Sequence, residues 1–263
     1  MDRRWLPVAL LLVAAAGCAQ PAGHGATQIS SPAAAMAGPT VLPWTTSECR
    51  FLVVFLNANT ASVQPYLPEG FTATGSATLP TASVGFEMHD CKSLQGLNET
   101  VTPGGYGALW GVVQPPAEAA DPAAGGVAYF KWAVLVPDAP RRELLMAHGV
   151  PAHAGSAKVV PGAAPGTWMG TLDLSDGGTF TATLGSVGPE RAARDLPFQE
   201  FSNATGGFAD WRATTTHYTQ GQGVGTWRAP ADSVLARMVG ASSGTAVMTT
   251  GVWSYDGGSI RLP

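Results

Sequence analysis

Lysine is nearly missing from this chain: Lys92, Lys131 and Lys158 are the whole supply in 263 residues. Chemistry that needs an amine nucleophile has only those side chains to draw on. Charge of either sign is scarce, at 12% of residues, and the net charge is −4. Without basic clusters the chain has no means of gripping a phosphate backbone, which excludes nucleic acid as a partner. Cysteine is limited to Cys18, Cys49 and Cys91 with no Cys-x-x-Cys spacing, so neither a metal centre nor another cofactor is expected. P-loop and His-Glu-x-x-His strings are absent. Gly240 to Gly244 does read Gly-x-Ser-x-Gly, but it follows a helix and leads into a strand, the reverse of a nucleophile elbow. Gly240 is better read as a helix cap and Ser242 as a turn residue. No run after the N-terminus approaches the roughly 20 apolar residues of a spanning helix.

The N-terminus carries a different signal. Arg3 and Arg4 precede the mostly apolar run Trp5 to Gly17, and Ala15-Ala16-Gly17 stands directly before Cys18. Residues 1–17 therefore read as a signal peptide. Ala-Ala-Gly-Cys resembles a lipobox, which makes Cys18 the lipidated residue and the membrane anchor. An ordinary signal peptide with a chance cysteine is the other reading. Ala19 follows the cysteine; by resemblance to Gram-negative lipoproteins, the lack of Asp there points to the outer membrane, facing the periplasm. Residues 18–41 are rich in Ala, Pro, Gly and Ser and carry no charge, the composition of a flexible tether. His24 in this stretch reads as a solvated linker residue.

From 42 to 263 the sequence reads as one folded domain. Short apolar, β-rich runs recur at Arg50–Leu56, Ala82–Met88, Gly107–Val113, Val127–Val136, Thr167–Leu174, Thr179–Leu184, Trp211–Tyr218 and Ala246–Tyr255, divided by Gly, Pro, Asp and Ser. Two short helices are expected. One starts at Thr60 behind the cap Asn59 and ends near Pro65 or Pro68; the other covers Ala231–Val239, with Asp232 in its first turn. With 33 Gly and 21 Pro, long helices are not expected. A mainly β fold follows, an antiparallel barrel or cone with a few short helices outside. Cys49 and Cys91 are an even pair in an oxidising compartment, so a disulfide is favoured over two buried thiols, with Cα atoms about 4.4–6.8 Å apart.

Several segments, in this order, resemble the acetoacetate decarboxylase-like superfamily. They are Leu67-Pro68-Glu69-Gly70-Phe71, Gly85-Phe86-Glu87-Met88-His89-Asp90, the loop from His148 to Lys158, Gly170-Thr171-Leu172-Asp173-Leu174, and Ala182-Thr183-Leu184-Gly185. The resemblance implies an antiparallel barrel or cone around an apolar cavity. It also implies a Schiff-base lysine, and there the chain departs. The family's Pro-Lys-Lys loop reads Pro151-Ala152-His153, so Ala152 stands where the nucleophile should be. The family's Tyr-x-Glu reads Tyr106-Gly107-Ala108, while Phe86-Glu87 is retained and Arg50 falls near the family's first-strand arginine.

The resemblance thus implies a small-molecule cavity whose decarboxylase chemistry is lost. Ligand-binding candidates are Arg50, Glu87, His89, Tyr106, Lys131, Ala152 and His153, with a small apolar carbonyl or carboxylate compound as ligand and Arg50 as its anchor. Glu87, His153 and Lys131 are the catalytic candidates for a diverged hydratase, dehydratase or hydrolase. Glu87 and His89 lie two apart on a strand and share a face, with His153 expected nearby. A purely structural Glu87, paired with Arg50 or a backbone donor, is the favoured alternative. On a regular strand Lys131 shares a face with Tyr129 and Ala133. A solvent-pointing amine on a packed stem is the expectation there, and a displaced cavity amine the alternative. Lys92, Lys158, His148 and His217 read as surface residues.

Overall fold

A computed structural model of the chain describes residues 39–74, 81–95, 97, 101–122, 128–185, 187–195 and 197–263, with the backbone alone at Val101 and Asp256. The signal run, Cys18 and the tether up to residue 38 lie outside the described residues. In chain order the first half contains strand β1 (Thr40–Ala58), helix α1 (Thr60–Val63) running into a 3-10 turn at Gln64–Tyr66, then β2 (Thr72–Ala73), β3 (Ala82–Gln95), β4 (Val101–Gln114) and β5 (Ala128–Leu135). Helix α2 (Ala139–Ala147), β6 (Ala152–His153), β7 (Gly155–Pro161), β8 (Trp168–Leu174) and β9 (Gly178–Leu184) follow. The chain finishes with β10 (Arg191–Ala192), β11 (Pro197–Ala204), β12 (Gly207–Arg228), α3 (Val234–Val239) and β13 (Ser243–Leu262). Among the described residues no helix is long and apolar enough to cross a membrane.

The strands β5-β4-β3-β1-β13-β12 are joined in that order, and β11 pairs with both β12 and β5, which closes them into a ring. Beyond the ring, β12 continues into β9, β8 and β7. The sheet is mixed rather than antiparallel throughout: β11 and β6 each run parallel to β5. Parallel pairing here reflects connectivity, because long crossovers rather than hairpins bring β6 and β11 to β5.

The layering explains why β3 reads as a continuous apolar run broken by Glu and His. Phe86 and Met88 on one face join the core cluster of Leu52, Val54, Leu172 and Phe180 beneath the β7–β9 layer. Glu87 and His89 on the other face point into the ring, and all four of these β3 side chains are buried. A strand covered on both sides has no solvent face to mark by alternation. The outer layer lies so close that a Cβ on Gly105 in β4 would stand 2.1 Å from the backbone carbonyl oxygen of Ala157 in β7, so only glycine fits at that crossing.

Helix α1 begins behind Asn59, whose side chain accepts from the Ala61 N–H at 2.9 Å, as the sequence indicates. The last helix starts later than expected, at Val234, because Ser233 is the residue that caps it. Gly240 ends it in the left-handed conformation, φ 75°. Helix α2 is an addition to the expected pair. Asp138 caps it and Pro140 sits in its first turn, where proline's missing N–H costs nothing. The fold starts at Thr40, two residues ahead of the boundary placed at Leu42. Cys49 and Cys91 face each other across β1 and β3 and are bonded. Their Cα separation of 3.8 Å lies below the expected window. The two are directly opposed beside a bulge in β1, where Glu48 takes φ 45°.

Candidate functional site

Four strands of the ring bring polar side chains to one buried point. Glu87 and His89 come from β3, Tyr106 from β4, Lys131 from β5 and Glu200 from β11. Relative exposures are 8% for Glu87, 0% for His89, 4% for Lys131 and 9% for Glu200. The Lys131 amine lies 2.6 Å from Glu200 Oε2 and 3.4 Å from Glu87 Oε1. His89 Nε2 lies 3.5 Å from Glu87 Oε2. The His89 ring is held flat between Tyr106, at 4.1 Å, and Trp253, at 5.0 Å between centroids.

The protonation pattern follows from one amine serving two carboxylates. Burial alone would raise the Glu87 carboxyl, but Lys131 and His89 hold it down at about 2. Burial also raises Glu200; Lys131 offsets only part of this and Glu87 adds repulsion, which leaves it at about 7. Burial works against the charged Lys131 amine, yet the two carboxylates outweigh it and raise its pKa. Burial lowers His89 despite Glu87 beside it, so the imidazole is neutral at pH 7. Burial pushes the Tyr106 and Tyr255 hydroxyls well above their ordinary range, and burial with Glu200 and Glu87 brings Tyr129 to about 12.

Glu87 and Glu200 form part of the wall of a cavity of about 370 Å³ inside the ring. Its other walls are mainly rings, among them Phe55, Trp110, Tyr129, Tyr218 and Trp253. This volume and lining suit a small, largely apolar molecule.

The structure brings Glu87, His89, Tyr106 and Lys131 together, and it corrects three expectations. Lys131 does not point to solvent. Trp110 pairs with Lys131 and Leu109 with Ala133, so Trp132 is an extra residue in β5. That bulge turns Lys131 to the site while Ala133 packs in the core under the outer layer. Arg50 does not anchor the cavity or pair with Glu87. It alternates with Phe51 and Val53, which face inward, and instead pairs with Glu190 and stacks 4.4 Å from the Trp168 ring. His153 does not join Glu87 and His89. Neighbours on a strand face opposite ways: Ala152 packs in the cluster of Tyr106 and Val134, while His153 lines a separate cavity and its Nδ1 meets Asp176 at 2.5 Å. Lys92 is exposed and paired with Glu48, and Lys158 and His217 are exposed. Glu200 was not among the expected site residues. Among the described residues, no three His, Cys, Asp or Glu side chains converge as metal ligands.

No protein-family model matches the chain, and no curated protein matches it by sequence. Solved structures do match its shape. The enduracididine biosynthesis enzyme MppR complexed with pyruvate aligns over 87% of this chain and 93% of its own, with a TM-score of 0.53 and 13% identity. The same enzyme with the condensation product of pyruvate and imidazole 4-carboxaldehyde aligns over 91% and 98%, with a TM-score of 0.53 and 14% identity. An acetoacetate decarboxylase aligns over 84% and 87%, with a TM-score of 0.51 and 15% identity. At these identities the likeness speaks for the fold, and the pyruvate belongs to MppR. The chain has the acetoacetate decarboxylase-like fold: a mixed, largely antiparallel β-ring with a few short helices.

Proposed function

We propose that this chain is a lipid-anchored envelope protein whose barrel holds a small, mainly apolar ligand and does not decarboxylate keto acids. The observation that carries the reading is Lys131 clamped between Glu200 and Glu87 beside a cavity walled by rings. An imine requires a free, unprotonated amine. The carboxylates keep this amine charged, and Ala152 supplies none. Incubation with acetoacetate or pyruvate and borohydride is therefore expected to leave the protein mass unchanged, with no CO₂ release above background. Native mass spectrometry of the freshly purified chain is expected to show a co-purified small molecule. An adduct mapped to Lys131 would make the protein a relocated Schiff-base enzyme and end the binding reading.

The anchor rests on the sequence of residues 1–18. Cys18→Ser is expected to move nearly all of the protein from the membrane pellet to the soluble fraction. Retention of the variant through a carbonate wash counts against lipidation.

One observation favours a second reading. Glu200, on the cavity wall, titrates at about 7, where a group serves best as general acid and base. Hydration, dehydration or hydrolysis of a ligand in the cavity fits such a group, and turnover abolished by Glu200→Gln would establish it.

A further inference from the structure

We propose that the cavity selects a small organic cation, an amine or quaternary ammonium compound, with its charge set against Glu87 and Glu200 and its alkyl groups on the aromatic walls. This rests on the reading that the cavity binds a small ligand, and it names the ligand's class.

Among the described residues, the charged groups on the wall are Glu87 and Glu200, and no lysine, arginine or histidine lines the cavity. Arg50, the one cation that would have favoured a carboxylate ligand, is engaged elsewhere by Glu190 and Trp168. Lys131 touches both carboxylates but is not itself part of the cavity wall. One ammonium against two carboxylates leaves a single negative charge in excess when both are ionised. With both carboxylates buried that excess is expensive, and it is relieved either by a proton or by a second cation. The proton retained by Glu200 near neutrality is the first solution. A ligand cation is the second. An anion entering the same space would add a like charge to the carboxylates.

The walls support the same choice. Tyr129, Tyr218, Trp110 and Trp253 line one cavity, and alkylated ammonium groups are held by such rings through the ring quadrupole. A hydrated inorganic cation gains nothing from these surfaces, whereas a methylated ammonium buries its alkyl groups on them.

The cation and the Glu200 proton compete, so binding strengthens as pH rises through neutrality. The groups around Glu200 are Lys131 and Tyr129 on β5, Glu87 and His89 on β3, Tyr106 on β4, Tyr218 on β12 and Tyr255 on β13. Of these, the amine and the phenols have raised pKa values, while Glu87 and His89 have lowered ones. The change of charge near pH 7 therefore belongs to Glu200.

The test is calorimetric titration of the full chain in a maltoside detergent, which carries no ammonium headgroup. The ligands are choline, its neutral carbon isostere dimethylbutanol, and dimethylbutanoate. Choline is expected to bind at least about tenfold tighter than dimethylbutanol, a step of ~1.4 kcal/mol, with dimethylbutanoate weakest. Glu200→Gln is expected to remove most of that preference while leaving dimethylbutanol binding within about threefold, and Tyr218→Leu, at the rim, to weaken choline severalfold. If Glu200→Gln does not fold, the wild-type ranking decides alone. Equal or tighter binding of dimethylbutanol, or tightest binding of dimethylbutanoate, overturns the cation inference and leaves the ligand-binding reading standing. Failure of all three to bind overturns both.

Discussion

Lys131→Met is expected to destabilise the barrel by about 3–5 kcal/mol, the cost of removing one partner from a buried ion cluster. Methionine keeps most of the side chain's length and packing, so the loss isolates the charge. Without the amine, Glu87 and Glu200 face each other in a site where both are at most 9% exposed, and among the described residues only the His89 imidazole, neutral at pH 7, remains beside Glu87. One or both must take up a proton, which desolvation already favours. Adding Glu87→Gln and Glu200→Gln to Lys131→Met removes the stranded charges and is expected to recover more than half of the loss. Urea unfolding measures all of these variants on one background. A cost below about 1 kcal/mol for Lys131→Met, the scale of an exposed pair, would mean that the amine is solvated and the cluster is not as described.

Glu200→Gln is expected to flatten the dependence of stability on pH on one side only. The folded Glu200 carboxyl holds its proton to about 7 against an ordinary value of 4.5. The native state thus binds more protons than the unfolded chain between those values, and stability from this group falls as pH rises through them. Glu87 has the opposite sign: its pKa is about 2, so its contribution is complete above 4.5 and is lost as pH falls towards 2. His89, lowered from 6.5, also loses stability with acid and partly masks the Glu200 limb in the wild-type profile. The diagnostic is therefore the difference between variant and wild type. Glu200→Gln should gain relative stability steadily from pH 4.5 to 7 and show no change of slope below that window. A difference that stays constant across the window would place the proton elsewhere than on Glu200.

Much of this arrangement was legible in the sequence because it rests on local rules. The two-residue spacing of Glu87 and His89 fixes a common face wherever a strand forms. Asn59 and Gly240 are cap residues by their own chemistry. Cys49 and Cys91 fall opposite each other once β1 and β3 pair. The failures share a different origin. Lys131 reaches the site through a bulge at Trp132, and a bulge is set by the partner strand, not by the residues that bulge. Arg50 and His153 are each one residue from an inward-facing position, and a shift of one residue reverses a side chain's face. Glu200 lies in Pro197-Phe198-Gln199-Glu200-Phe201, where proline and the spacing of the two phenylalanines suggest no strand. That segment becomes a strand because β5 and β12 offer it edges on both sides, a tertiary cause with no local trace.

The pairing of β1 with β13 sets Thr40 directly opposite Leu262, so the first and last strands of the fold are neighbours. The ring therefore stays open along β1 until the C-terminal strand has been made. Contacts of such long sequence separation close late and slowly, because chain entropy must be given up before they form. A nascent chain still missing its last strand has no means of sealing the barrel. Until that strand is made, the buried carboxylates and the amine between them stay open to water.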